Sequence, residues 1–421
     1  MSKGAKKATV HSGPVEGPWE LPDGWHWDRL GDLGGWSGGG TPSKANPDFW
    51  IDGTVPWVSA KDMKSSYIDD TDDHITDAAV ERSSAKRIPA GSVLCVMRSG
   101  ILRHSFPVAV TLREVTINQD LRALKPRANV NPVFLAHFLK RTERDILHEC
   151  SKDGTTVNSV DNGRLMSRPV PMPSRELQDR IVARIDELNA LIDEGERRLV
   201  AAIGLIETYR RGLLRSAVAG DLTSDWRGEA GSREGEATVK SLPLGWRTAA
   251  FGEVAEVLSD GGLKLKERDY LRAGAIPVID QGSRFIAGYT NDPALVQPHS
   301  APVIIFGDHT RRFKFVNFQF CVGADGVKLI AARPSMSPRF LFLALQAAEF
   351  QDRGYSRHFQ FVRALSFAVP PLKEQDEIVV RVDAAIALVE ELGIALDAQR
   401  LAAAALRQSI LAAAFRGELV K

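Results

Sequence analysis

The sequence predicts an α+β chain. It holds two strand-rich globular segments, each followed by a long helix, and the two helices pair as an antiparallel coiled coil. Two observations carry this prediction. The chain repeats itself once at long period, and each half ends in an apolar seam at helical spacing. Leu21–Trp25 recurs as Leu242–Trp246, and Val55–Val58 as Ile276–Ile279. Asn131–Leu135 recurs as Ser337–Leu341, Gln178–Val182 as Gln375–Val379, and Ala219–Leu222 as Arg416–Leu419. The matches are collinear, and the offset between partners shrinks along the chain. That is the mark of two homologous halves with different loop lengths, related by an internal pseudo-two-fold duplication, and not of a solenoid of short repeats.

The elements follow in order. Residues 1–20 read as a flexible tail and 21–173 as the first globular segment. Within it Ser92–Val96 is a short apolar run bounded by turn residues, which predicts a buried strand. Asn131–Leu139 opens with a polar cap and a proline, which predicts a helix. Residues 174–222 form the first long helix, with Leu177, Ile181, Ile185, Leu188, Ile192, Leu199, Ile203, Ile206 and Leu213 in its seam. Residues 223–241 are rich in Gly, Ser and Glu and read as a linker. The second globular segment, 242–369, repeats the plan. Pro302–Phe306 predicts a buried strand, and Phe313, Phe315, Phe318 and Phe320 alternate with a break near Asn317, as core residues of a strand. Ser337–Leu345 predicts a capped helix. Residues 370–421 form the second long helix, its seam running through Ile378, Val382, Ala385, Val389, Leu392, Leu396, Ala403, Leu406 and Ile410. Pro171 and Pro173 precede one long helix and Pro370 and Pro371 the other, setting sharp starts. Forty-odd residues at a 1.5 Å rise give a rod of roughly 60 Å.

Composition narrows the function classes. The 421 residues carry 54 Lys+Arg against 53 Asp+Glu, which excludes a uniformly basic, histone-like protein but not a local basic face. From 242 to 369 there are 15 Lys/Arg against 11 Asp/Glu, whereas 21–173 is balanced at 19 of each. Cys95, Cys150 and Cys321 are too few and too scattered for a disulfide framework or a zinc site. The stretch 401–415 is short and broken by Arg407 and Gln408, so no membrane span is expected. No apolar leader follows Lys3, Lys6 and Lys7, and a cytoplasmic protein is expected. A catalytic engine is not found. There is no GxxxxGK[ST] loop, and the glycines at 34–35 and 38–40 do not fit GxGxxG. Asn46-Pro47-Asp48-Phe49 resembles the Asn-Pro-Pro-Phe/Tyr loop of amino-methyltransferases but lacks its second proline, and a surface turn is the ordinary reading.

Local strings add a resemblance that covers about residues 21–421. Gly39-Gly40-Thr41-Pro42-Ser43, Phe49-Trp50, Val55–Val58 and Lys61-Asp62-Met63 are similar to the opening of one kind of target-recognition domain. Phe306-Gly307-Asp308-His309-Thr310 and Val322–Gly326 are similar to another, and Pro371–Gln375 carries the helix signature Pro-x-x-Glu-Gln, with a weaker form at Pro173–Gln178. The chain thus resembles the DNA-specificity (S) subunit of type I restriction-modification systems. The resemblance implies a non-catalytic subunit that reads a bipartite site in double-stranded DNA, with the helices as a ruler. It implies docking to two methyltransferase (modification) subunits and to restriction (translocase/endonuclease) subunits. No cofactor is expected on this chain; S-adenosylmethionine, ATP and Mg are implied for the partners. Two other readings remain open, a coiled-coil interaction scaffold with two protein-binding modules and the specificity polypeptide of a bifunctional restriction-methylation enzyme.

Base readout needs Arg or Lys for guanine, Asn or Gln for adenine and carboxylates for cytosine. Candidates in the first segment are Lys44, Lys61, Arg98, Ser99, Arg103, Asn118 and Gln119. Those in the second are Lys264, Lys266, Gln281, Ser283, Arg284, His309, Thr310, Arg311, Arg312 and Lys314. Arg98–Arg103 is expected to be the counterpart of Gly307–Arg312.

Overall fold

The structure, a computed structural model, describes residues 14–152, 158–228, 242–299, 302–323, 326–348 and 358–420. Most of the expected tail, residues 229–241 of the expected linker, and Ala324 and Asp325 of the Val322–Gly326 string lie outside the described residues. Among the described residues no helix is long and apolar enough to cross a membrane.

The first segment supplies strands β1 (Gly34–Gly38), β2 (Val55–Val58), β3 (Val93–Val96), β4 (Val108–Thr111), β5 (Val115–Ile117) and β6 (Leu121–Pro126). Helix α1 (Pro132–Arg141) follows, and then the 45-residue helix α2 (Arg175–Ala219). One sheet has the order β1-β6-β3-β4, with Tyr67–Ile68 at its edge. A second sheet is built around the parallel pair β2 and β5, flanked by His74–Ile75 and Arg87–Ile88.

The second segment repeats this wiring with β7 (Ala255–Leu258), β8 (Ile276–Ile279), β9 (Val303–Gly307), β10 (Phe313–Val316), β11 (Cys321–Gly323) and β12 (Val327–Ala332). Helix α3 (Pro338–Ala347) and the 44-residue helix α4 (Leu372–Phe415) follow. One sheet has the order β7-β12-β9-β10, and the other is built around the parallel pair β8 and β11. The correspondence β1/β7, β2/β8, β3/β9, β4/β10, β5/β11, β6/β12 is complete, so the duplication seen as short strings holds at the level of strand pairing.

Alternation along β10 explains its layers. Phe313 and Phe315 pack with Phe306, Phe340 and Leu343 on the helix side. Val316 faces the other sheet with Ile305, Leu329, Ile279 and Val322. A sheet with helices on one face and a sheet on the other must bury both of its faces.

Contacts divide the chain into two units, 1–198 with 399–421, and 199–398. Each unit therefore takes its globular segment, the first half of the helix that follows it and the second half of the other long helix. In the first unit Ile181 and Ile185 of α2 and Ile410 and Ala414 of α4 share one core. Phe415 there stacks edge-on with Phe134 and Phe138 of α1. In the second unit Leu213, Leu214 and Ala217 of α2 join Ile378 and Val382 of α4. Arg381 reaches the carbonyl of Leu222, while Ile386 and Val389 lie by Leu213 and Tyr209, which makes the pairing antiparallel. The helix ends thus pack on globular segments as well as on each other. Leu392 and Leu406 correct the expected seam. They are 50% and 51% exposed, and Gly393 and Arg407 turn inward at those turns. Arg407 bonds Asn189, Asp193 and Glu196 across the pair.

The two glutamines of the helix signature have a structural role. Gln178 accepts from the backbone N–H of Asn131 (2.8 Å) and donates to the carbonyls of Asn129 and Pro173. Gln375 repeats each bond, accepting from Ser337 N–H (2.6 Å) and donating to Ser335 and Pro370. Both side chains are fully buried. They tie the start of each long helix to the start of the capped helix before it. Gln375→Leu strands one N–H and two carbonyls, and a loss of about 1–3 kcal/mol per unsatisfied group is expected in urea unfolding.

Residues 223–228, read as linker from composition, are held in place. Thr223 and Arg227 both bond Glu374 at the start of α4.

Candidate nucleic-acid interface

In both units the candidate residues collect where equivalent strands end. In the second unit, β8 leads into the loop Asp280–Phe285 and β9 into the turn Asp308–Arg312. Thr310 donates to the Gln281 carbonyl (2.7 Å), and the Gln281 side chain accepts from His309 N–H (3.4 Å), so the two loops are bound to each other. The turn closes through Arg311 N–H to Gly307 O (2.7 Å) and Gly307 N–H to Arg312 O (2.9 Å). Asp308, nearly buried, accepts from Phe359 N–H and anchors the turn from below. A side chain at Gly307 would collide with Thr310 and Gln281, so the close approach of the loops requires glycine there. Arg311 has φ 59, the left-handed region, which costs a non-glycine residue on the order of 1–2 kcal/mol.

This arrangement brings together Gln281, Ser283, Arg284, His309, Thr310, Arg311 and Arg312. Ser283, Arg284, Thr310 and Arg312 are exposed. Lys266 leaves its strand at the same sheet edge, because Lys264–Leu265 runs parallel to β11 and β11 runs parallel to β8. Lys264 lies inside that strand and pairs with Asp260 (3.1 Å). Lys314 does not face solvent. It is 6% exposed, and its ammonium group donates to the carbonyl of Arg284 (2.6 Å) beside Asp280. Burial pushes its pKa down, and Asp280 opposes that shift. Lys314 thus holds the 280–285 loop from inside the sheet pair.

In the first unit, β1, β2, β3 and β5 end together in the same way. Thr41 donates to the Gln119 carboxamide, and Gly40 N–H bonds the Ile117 carbonyl. Arg98 N–H bonds Asp120 O (3.2 Å), and Asn118 N–H bonds Val58 O (2.9 Å). The loops carrying Lys44, Arg98, Ser99 and Gln119 therefore meet, and Arg98–Arg103 follows β3 as Asp308–Arg312 follows β9. Lys44, Arg98, Arg103 and Gln119 are exposed. Ser99 caps its own short helix through Ile101 N–H. Asn118 is 7% exposed, and its carboxamide oxygen accepts from Asp120 N–H, so it shapes its loop from within. Lys61 pairs with Asp73 (3.0 Å) and Asp72 (3.5 Å), which raise its pKa and offset its pull on a phosphate. Asn46 spends its side chain on Asp48 N–H, the ordinary turn expected of that string.

Each unit also has an open groove beside these loops, about 480 Å³ in the second and 520 Å³ in the first. The second is lined by Arg210 of α2, the first by Lys64 and Lys140. Sequence reasoning did not single out these three residues. Arg210 and Lys140 lie far along the chain from the candidate loops, and Lys64 follows the Lys61-Asp62-Met63 string without belonging to it.

Comparisons with known proteins agree with this architecture. The family model "Type I restriction modification DNA specificity domain" matches residues 22–203. The EcoR124I/EcoR124II specificity subunit of Escherichia coli is 39% identical over 193 residues, 45% of this chain. That match spans 48% of the relative's own length, about half of it. The StySPI specificity subunit of Salmonella potsdam is 24% identical over 95% of this chain and 90% of its own. A chain solved in work on complex assembly and conformational transition of the type I R-M system superposes with TM-score 0.70 at 20% identity. It covers 95% of this chain and 100% of its own, and it shares the fold. Two halves of one topology, two signature glutamines in matching bonds and these relatives point the same way: residues 22–203 match the DNA specificity domain of type I restriction-modification systems, and the chain is similar to their specificity (S) subunits over nearly its whole length.

Proposed function

We propose that the chain is the non-catalytic, sequence-reading subunit of a cytoplasmic type I restriction-modification complex. Each globular segment reads one half of a split site in double-stranded DNA. The paired helices act as the ruler that sets the gap. Two modification (methyltransferase) subunits and the restriction subunits dock on this chain. S-adenosylmethionine belongs to the modification subunits, which flip and methylate the target base. ATP and Mg belong to the restriction subunits.

The observation that carries this reading is the repeated convergence of polar loops at equivalent strand ends. Loops are where a rigid scaffold carries variable recognition. Here the scaffold is the same twice, while the loop residues differ: Arg98, Ser99 and Arg103 in one half, His309, Thr310, Arg311 and Arg312 in the other. Two like scaffolds with unlike readers suit a split site whose halves differ.

The test is substitution at the exposed turn. Arg312→Ala or Arg311→Ala weakens binding to the methylated motif by about 1–3 kcal/mol and relaxes specificity in one half-site only. A salt-controlled shift assay with the assembled complex measures it. Unchanged affinity and unchanged specificity would remove both residues from the reading surface.

A further inference from the structure

We propose that the groove between α2 and the reading loops of the second unit seats the DNA backbone, with Arg210 of the long helix as a phosphate ligand. This rests on the DNA-reading function above and adds to it a site on the helix itself. The groove is walled by Ser283 and Phe285 on the loop after β8, by Arg311 and Arg312 on the turn after β9, and by Glu207 and Arg210 on α2. Three guanidinium groups thus stand against one carboxylate. Among the described residues, the Arg210 and Arg312 side chains have neither an ion pair nor a hydrogen bond. Guanidinium groups without a partner among the described residues, spread over two walls of an open concavity, fit phosphate oxygens, which they bind in fork geometry.

The walls decide between occupants. The loops 280–285 and 308–312 are also the proposed base readers, so a duplex engaged by them brings its own backbone to the groove. Equivalent elements build a groove at the same place in the first unit. Lys64 follows β2 as Phe285 follows β8, Ile101 follows β3 as Arg311 follows β9, and Lys140 ends α1 as Gln346 ends α3. There two ammonium groups, Lys64 and Lys140, face one carboxylate, Glu143. A cationic groove repeated beside each reader fits one duplex contacted at two half-sites. An acidic segment of a partner protein is the competing occupant.

The test uses the purified full chain and a random-sequence duplex across a KCl series, read by fluorescence anisotropy. Losing one phosphate contact reduces the slope of log K against log salt by about 0.9. Arg210→Gln is expected to flatten the slope by that amount and to weaken binding alike on every sequence. Arg210→Lys is expected to restore the slope, and Lys140→Gln to act like Arg210→Gln. Glutamine and arginine have similar helix propensities, so α2 is expected to persist, which a melting curve checks. An unchanged slope in Arg210→Gln, with wild type binding normally, overturns the seat and leaves the reading function standing. An unchanged slope together with lost methyltransferase binding assigns the groove to a protein partner and overturns the seat equally. A wild-type chain without salt-dependent duplex binding overturns the reading function along with it.

Discussion

Glu374→Ala is expected to destabilise the second unit by about 3–5 kcal/mol, the cost of leaving a buried charge unpaired. Glu374 is 1% exposed and Arg227 8%, and they form an ion pair. One Glu374 oxygen also accepts from Thr223 (2.7 Å), and the other accepts from the Trp246 indole N–H (2.9 Å). Arg227 in turn donates to the Gly220 carbonyl (2.7 Å). This clasp fastens the chain leaving α2 to the start of α4. The corresponding position in the first half is Leu177, packed in an apolar core with Trp25 and Val420. That comparison supplies the control. Replacing both partners, Glu374→Leu with Arg227→Met, copies the apolar version and is expected to recover most of the loss, because a buried ion pair is worth little more than a well-packed apolar pair. Thermal unfolding reads both variants. A shift on the order of 10 °C is expected for the single substitution. A single variant as stable as the parent would show that the ion pair does not bind the segment.

One helical turn inserted at Gly195, with a matched turn inserted beside Arg407 on the facing helix, is expected to lengthen the gap in the recognised site. Four residues add about 6 Å of helix, close to two base pairs. Both half-sites are expected to remain as they were. The paired insertion is needed because Arg407 bonds Asp193 and Glu196 across the seam, and a one-sided insertion would pull those bonds out of register. Sequencing of methylated bases in cells carrying the variant reads the outcome. An unchanged gap would mean that the helices do not measure it.

Much of the fold was legible in the sequence because it rests on local rules. Asn131 caps α1 through its own carboxamide, as the Asn-Pro pair implies. Both long helices start within two residues of their prolines, as expected. The seam was legible near the helix ends and not in the middle of α4. Leu392 and Leu406 are half exposed although Leu396, Ala403 and Ile410 of the same series are partly or fully buried, so the seam is interrupted at single turns. Arg227 was hidden for another reason. Its neighbours have the composition of a linker, and its partner Glu374 is 147 residues away. Lys314 was misplaced because alternation with Phe313 and Phe315 normally sends the polar residue to solvent. Here both faces of the sheet are covered, and Asp280 with two backbone carbonyls receives the ammonium group. The proposed reading surface was legible as residue types and illegible as geometry, since Thr310 meeting Gln281 and Thr41 meeting Gln119 are contacts between distant loops.

The most direct test of the central claim is sequencing of modified bases in the host genome, with this chain intact and with it deleted. Methylated adenines in two short motifs, separated by a gap of fixed length and lost on deletion, are the expected result. A continuous motif, or a methylation pattern that survives the deletion, would contradict the assignment of the two segments as paired readers of one split site.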